Sequence, residues 1–246
     1  MQSCFRYPGS GLSPQHGNKA ASSQCGSADV LKELGVNVLL TPAQAKKVLD
    51  VVGMIFLFAP LYHPAMKRIA PIRIDLRTRT VFNFLGPFLN PASVTRQLLG
   101  VPNSEIAEKL FFVGKELGYN HLIIVASDDG MDEVSLSAKT QVFTLKNKRT
   151  KHSIIDPKDY GFKKAANSEI IGGTATENAQ FLQEILSGKK GAKRDIVVLN
   201  SAVALVVADK VATIDAGIKR AQDAIDTGTA RRVFENLVKE TRKYAK

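Results

Sequence analysis

The chain has 246 residues, 44% of them hydrophobic, and a formal net charge of +11. This length and hydrophobic content can bury a full core, which excludes a mostly disordered chain and predicts one large domain. No apolar run reaches the roughly 20 residues of a membrane span, and the first residues lack a signal-peptide pattern. Two cysteines, Cys4 and Cys25, provide neither a disulfide framework nor a metal-ligand spacing. We expect a cytoplasmic protein without a membrane partner.

Helices and strands alternate along most of the sequence, which is typical of an α/β fold. Residues 1–14 show no helix or strand period, so we predict an irregular segment there, ahead of a domain over 15–246. The basic segment 146–151 is predicted to be a linker. Helices are predicted over 27–34, 42 to 49 or 51, 104–117, 177–186, 196–208, 212–225 and 230–244, and strands over 36–40, 54–59, 80–82, 97–101, 121–126 and 141–145.

The stretch 15–29 brings small and hydrogen-bonding residues into a turn that opens an apolar helix. Glycine lets the backbone approach a ligand closely, hydroxyls and amides donate to phosphate oxygens, and a helix start adds partial positive charge. This composition favours a cradle for an anionic group. A polar loop with Ser27 as the helix N-cap explains the same residues without a ligand, so the residues alone leave both interpretations open.

Two adjacent carboxylates, Asp132 and Glu133, follow a predicted strand and the turn 127–130. This position predicts that they lie at the carboxyl end of the sheet, where ligands of open α/β sheets bind. Carboxylate oxygens there can hold Mg²⁺ against a polyphosphate. An acidic surface turn is the alternative, and by spacing alone it is the more common one.

Four motifs in chain order resemble the anthranilate phosphoribosyltransferase family, and the resemblance extends from residue 15 to the C-terminus. It implies transfer of the phosphoribosyl group from phosphoribosyl pyrophosphate to anthranilate, giving N-(5-phosphoribosyl)anthranilate in tryptophan biosynthesis, with Mg²⁺ as cofactor. It also implies a mixed, largely parallel sheet flanked by helices, as in nucleoside phosphorylases and phosphoribosyltransferases. The motifs are the His-Gly-Asn turn at 16–18, FLFAPLYHPAMK at 56–67, FNFLGPFLNP at 82–91 and DGMDEV at 129–134.

The resemblance also implies site residues. An arginine at the place of Arg73 holds the carboxylate of anthranilate, a task that suits a planar guanidinium. The transition state is oxocarbenium-like, so charge stabilisation outweighs a strong base and no residue is assigned as general acid or base. The implied residues are Asn18, His63, Arg73, Gly86 and Pro87 for anthranilate; Gln15, His16, Gly17, Asn18, Lys19, Ser22, Ser23 and Ser27 for phosphoribosyl pyrophosphate; and Asp132 and Glu133 for Mg²⁺.

The chain departs from the family pattern at the phosphate site. The family's small N-terminal helical domain, its Gly-Thr-Gly-Gly-Asp turn and its Asn-x-Ser-Thr segment are not in this sequence, and Gln15 and Lys19 replace a lysine and an arginine. The resemblance therefore predicts an N-terminally truncated catalytic domain with impaired turnover. The family forms homodimers largely through the helices that this sequence lacks.

Two other functions compete with this interpretation. The net positive charge allows a non-catalytic homologue that binds nucleic acid, for which strong salt-dependent binding would be the sign. Arg73 and the acidic pair argue against it. A pyrimidine nucleoside phosphorylase-like enzyme shares a similar His-Gly-Asn turn, but the motifs at 63–66 and 83–91 fit the anthranilate enzyme better.

Overall fold

The computed structural model describes residues 2–5, 13–17, 25–63 and 86–245. Within these ranges, helices pack on both faces of the main sheet, and two short 3-10 turns connect elements. The strands are β1 (Gln2–Phe5), β2 (Ser13–Gly17), β3 (Met54–Phe58), β4 (Arg96–Gly100), β5 (His121–Ser127), β6 (Thr140–Lys146) and β7 (Arg149–Ile155). The helices are α1 (Ser27–Glu33), α2 (Pro42–Val52), α3 (Ala59–Tyr62), α4 (Ser104–Glu116), α5 (Asn167–Ile170), α6 (Ala175–Leu186), α7 (Ala192–Val207), α8 (Ile214–Asp226) and α9 (Thr229–Arg242).

The strands form a five-stranded sheet in the order β1-β4-β5-β6-β7 and a two-stranded sheet of β2 and β3. Strands β4 and β5 are parallel, and so are β2 and β3. The described pairs β1–β4, β5–β6 and β6–β7 are antiparallel. The predicted α/β class with a mixed sheet flanked by helices is confirmed, although the sheet was expected to be largely parallel and, among the described pairs, two are parallel and three antiparallel.

Strand β5 is buried along its whole length, because helices cover both faces of the sheet. Its side chains alternate between two cores. Leu122 and Ile124 pack with α4, whereas Ile123 and Val125 pack with α7 and α8. This alternation fixes the register of the strand, since a one-residue shift would exchange the two faces.

A third core lies around β3, between α1, α2 and Leu237 of α9. The predicted start of α2 is confirmed: the Thr41 hydroxyl accepts from the Gln44 amide, and Gln44 bonds back to the Thr41 amide. Among the residues that the structure describes, no helix is long and apolar enough to cross a membrane.

The strand predicted over 36–40 is wrong, although its alternate residues Val36, Val38 and Leu40 are buried as the pattern required. Its backbone pairs with side chains instead of with a strand. The Asn37 amide donates to the Thr241 hydroxyl at 3.2 Å, and the Tyr62 hydroxyl donates to the Leu40 carbonyl at 3.3 Å. The segment is therefore an extended connection that α9 covers.

The linker predicted over 146–151 is wrong as well, because these residues form the tip of the β6–β7 hairpin. Asn147 and Lys148 have φ angles of 48° and 65°. Positive φ at both central residues is the geometry of a two-residue hairpin turn, in which asparagine is common and lysine is not. Because basic residues surround the turn, the sequence indicated a linker and not a hairpin.

The prediction of an irregular segment over 1–14 is wrong for Gln2–Phe5, where β1 pairs with β4, and for Ser13 and Pro14, which belong to β2 and pair with β3. The sequence of β1 has no alternation that marks a strand, so the exposed backbone of β4 determines the pairing. The strand predicted over 80–82 lies outside the described residues. The other helices and strands are confirmed, with ends shifted by a few residues.

Replacing Lys148 by glycine should stabilise the protein, because a side chain at positive φ costs about 1 kcal/mol that glycine avoids. We expect Lys148→Gly to raise the free energy of unfolding in urea by about that amount. Lys151→Gly, on β7, is the control and should lower it, since glycine weakens a strand. Equal destabilisation by both changes would contradict the turn geometry.

Candidate active site

The carboxyl ends of β2 and β3 bring two of the sequence motifs together. In this parallel pair Gly17 lies opposite Phe58, and α3 then leads to His63. Gly17 lies so close to Phe56 that a Cβ atom would be 2.9 Å from the ring. A side chain at residue 17 would have to displace the end of the Phe56 ring, so glycine fits best where the His-Gly-Asn turn leaves β2, and the motif at 56–67 begins beside it.

Asn90 connects this turn to the motif at 82–91, of which it is part. It is 7% exposed, and its side-chain amide donates to the Pro14 carbonyl of β2 at 3.1 Å. Its side-chain oxygen accepts from the Ala92 amide at 2.9 Å. The 3-10 turn Gly86–Leu89 is thereby held close to β2.

Asp132 and Glu133 lie in the loop after β5, as predicted, and line a cavity of about 160 Å³ at the carboxyl ends of β4 and β5. Asp132 is exposed and Glu133 is half-buried. Two carboxylates beside a small cavity are suitable donors for Mg²⁺, which prefers hard oxygen ligands and keeps several waters. The cavity is lined by Leu98, Val125, Asp132, Glu133, Asn200, Ser201 and Ala204.

Buried hydroxyls fix the backbone of this loop against the sheet. The Ser127 hydroxyl, at the end of β5, donates to the Glu133 carbonyl at 2.6 Å. The Thr140 hydroxyl lies 2.6 Å from the Ser127 hydroxyl, and both accept from the Ser135 amide. The position of Glu133 therefore depends on β5 and β6 together.

Asp129 holds the other side of the loop. Its carboxylate accepts from the hydroxyls of Ser135 and Ser137 and from the Met131 amide. Partial burial acts to raise the pKa of Asp129, but the hydrogen bonds outweigh it and hold the pKa below its ordinary value. Asp129 is therefore ionised and structural near neutral pH.

Gly100, the last residue of β4, allows the loop to lie directly against the sheet. A Cβ atom at this position would lie 1.5 Å from the Asp132 carbonyl oxygen. No side chain can occupy that space unless the backbone of the acidic pair moves. Glycine at the strand end thus determines where Asp132 is placed.

The opposite ends of β4 and β5 carry a separate charge cluster. Asp209 bonds to Arg96 at 2.9 Å, to His121 at 3.1 Å and to Lys146 at 2.7 Å. Burial lowers the pKa of His121, and the opposing attraction of Asp209 does not restore it. This histidine is at the far end of the sheet from the acidic pair, so it is no acid or base for that site.

The other predicted site residues divide into described and undescribed ones. Ser27 is exposed at the first position of α1, and Gly26, not Ser27, is the N-cap. Gly86 begins the 3-10 turn, with open space where a Cβ atom would be. Asn18, Lys19, Ser22, Ser23 and Arg73 lie outside the described residues, as do the side chains of His16 and Pro87.

Residues 10–231 match the family model described as "Glycosyl transferase family, a/b domain". The chain belongs to this family. The match includes residues 10–14, so the domain boundary at residue 15 stays a prediction.

Sequence relatives place the chain among the anthranilate phosphoribosyltransferases. The enzyme of Dehalococcoides mccartyi is 44% identical over 239 residues, which is 96% of this chain and 70% of the relative. That of Methanobrevibacter smithii is 44% identical over 92% of this chain and 68% of its own length.

Solved structures agree with the sequence relatives. The anthranilate phosphoribosyltransferase from Thermus thermophilus superposes with a TM-score of 0.87 at 33% identity, covering 93% of this chain and 68% of that one. The enzyme from Saccharomyces cerevisiae, in complex with PRPP and Mg, gives a TM-score of 0.85 at 29% identity. The match covers 95% of this chain and 67% of that one.

The contact at Gly100 predicts the effect of one methyl group. Gly100→Ala should lower the free energy of unfolding by about 1–3 kcal/mol and speed hydrogen exchange at the Val134 amide, because the loop must move. Gly114→Ala is the matched control: its Cβ atom would lie 2.1 Å from the end of the buried Leu122 side chain, so it also crowds the core, but on the α4 side of the sheet, and it should leave exchange at Val134 unchanged. Unchanged exchange at Val134 in Gly100→Ala would contradict the contact.

The hydrogen bonds to Asp129 predict a pH dependence. Its pKa is lower in the folded state, so its contribution to stability is complete above about pH 4 and is lost as the pH falls through the folded-state value. Ser135→Ala should raise the pKa of Asp129 toward its ordinary value, measured by carbon NMR titration. Asp226, whose pKa is lowered mainly by its hydrogen bond to Arg194, should not change.

Proposed function

We propose that this chain transfers the phosphoribosyl group from phosphoribosyl pyrophosphate to anthranilate, giving N-(5-phosphoribosyl)anthranilate in tryptophan biosynthesis. The observation that carries the proposal is the acidic pair in a cavity at the carboxyl ends of β4 and β5. The relatives named above support it, since their names state this activity.

In this reaction the bond between the ribose C1 and the pyrophosphate oxygen breaks, and a bond from C1 to the amine nitrogen of anthranilate forms. Pyrophosphate leaves with the bonding electrons, and the amine loses a proton. Positive charge develops on the ribose and negative charge on the leaving group, so preorganised charges lower the barrier. Asp132 and Glu133 are the residues that would hold Mg²⁺, which supplies positive charge against the pyrophosphate oxygens.

The substrate-binding residues remain a proposal. Gln15, Gly17 and Gly86 are on segments that Asn90 and the β2–β3 pair bring together, which supports a common pocket for the two substrates. Strand β1 lies beside β2 and pairs with β4, so it connects the strands of this pocket to the main sheet, at whose carboxyl end the acidic pair lies. Arg73 is proposed to hold the anthranilate carboxylate in a bidentate hydrogen bond.

The test is the loss of anthranilate fluorescence after phosphoribosyl pyrophosphate and Mg²⁺ are added to the purified chain. Asp132→Asn and Glu133→Gln should each lower kcat/KM by about 100-fold or more, because they remove charge that the transition state requires. Arg73→Lys should raise the KM for anthranilate, since lysine cannot form the two-point contact.

Asp128→Asn is the matched control. Asp128 is a neighbouring exposed carboxylate that accepts from the Gln141 side chain and does not line the cavity. Asp128→Asn should leave kcat/KM within about twofold of the value of the unaltered protein, as expected of a surface change. A folded chain with no turnover, or turnover that survives the loss of both Asp132 and Glu133, would contradict the proposed function.

A further inference from the structure

Asn200, on α7, contacts the loop of the acidic pair. Its side-chain oxygen accepts from the Val134 amide at 2.9 Å, and its nitrogen donates to the Val134 carbonyl at 2.9 Å. The same nitrogen donates to the Ile196 carbonyl at 3.0 Å. Both amide hydrogens and the oxygen are thus bonded, so the side chain has one defined orientation.

The contact is buried and adjacent to the acidic pair. Asn200 is 6% exposed, Val134 is fully buried, and Val134 follows Glu133 directly in the chain. Asn200 also lines the cavity that Asp132 and Glu133 line. A displacement of Val134 would therefore move Glu133 relative to the cavity.

Hydrogen bonds from two elements hold the backbone at and beside Glu133. The Ser127 hydroxyl binds its carbonyl from β5, and Asn200 binds the next residue from α7. Helix α7 packs across β4 and β5 through Leu199 and Val203. The helix and the sheet therefore position the acidic pair together.

We propose that Asn200 is a positioning residue that sets the geometry of the Asp132–Glu133 pair for divalent cation binding. The inference rests on the proposed function, because it takes this pair as the cation site. Some groups orient metal ligands without touching the metal. Removing such a group commonly lowers metal affinity or activity by about 10- to 100-fold. Asn200 would act through Glu133 and Val134, not on the substrate.

The experiment measures Mn²⁺ binding by electron paramagnetic resonance, with Mn²⁺ as the probe for the cation site, and the Mg²⁺ dependence of activity. Asn200→Ala and Asn200→Leu should both raise the half-saturating Mn²⁺ concentration about tenfold. Leucine has the branched shape of asparagine and fills its site, whereas alanine leaves a cavity, so a shared effect reports the lost hydrogen bonds rather than a cavity. High Mg²⁺ should recover part of the activity.

Asn178→Ala is the matched control, because Asn178 makes the same two-point contact elsewhere. Its oxygen accepts from the Gly173 amide at 3.0 Å, and its nitrogen donates to the Gly173 carbonyl at 2.8 Å. This change should lower the thermal midpoint and leave Mn²⁺ binding within about twofold. If the Asn200 variants do the same, Asn200 has a merely structural role and the proposal is overturned.

Two further measurements keep the outcomes distinct. If neither Asn200 variant folds, hydrogen exchange of the unaltered protein decides: Mg²⁺ should slow exchange at the Val134 amide, and no change would overturn the proposal. If Asp132→Asn and Glu133→Gln leave Mn²⁺ binding unchanged, the acidic pair is not the cation site. That result overturns the proposed function together with the role of Asn200. If only the Asn200 variants leave Mn²⁺ binding unchanged, the role of Asn200 is overturned and the proposed function is not.

Discussion

The burial of the parallel strands β4 and β5 between α4 and α7 is the constraint on which the arrangement depends. Because helices cover both faces of the sheet, the ends of these strands are where polar groups reach solvent. The two ends differ in charge: Arg96, His121 and Asp209 form one cluster, and the acidic pair is at the other end. The core thus decides where the cavity of the candidate site lies, and the loop after β5 decides which side chains line it.

The parts of the fold with a strong local signal were predictable from sequence. The long helices have regular apolar spacing, α2 has a complete capping box, and β5 is a short apolar run. Two of the errors have one physical origin, since residues 36–40 and β1 depend on partners far away in sequence, whereas the error at 146–151 is a local turn with an unusual lysine. Residues 36–40 have the burial pattern of a strand, but α9 supplies their partners, and β1 is a strand because β4 is beside it.

The candidate site was predictable only in part for the same reason. Asp132 and Glu133 could be placed at a strand end from their spacing, and the family resemblance gave them a role. Asn90 and Asn200 could not be found in this way, because an asparagine in a turn or a helix has many structural explanations. Asn200 bonds to a backbone 66 residues earlier, and only the packing of α7 on the sheet makes that contact.

The hairpin that ends the main sheet also affects how copies of the protein meet. As the structure describes it, β7 is the outer strand, and Arg149 and Lys151 on it are exposed. A bare strand edge is a template for pairing with another chain, and cationic side chains oppose such pairing by repulsion. The net charge of +11 strengthens that repulsion at long range. At high ionic strength, where screening shortens to about 3 Å at 1 M salt, this protection against aggregation is lost.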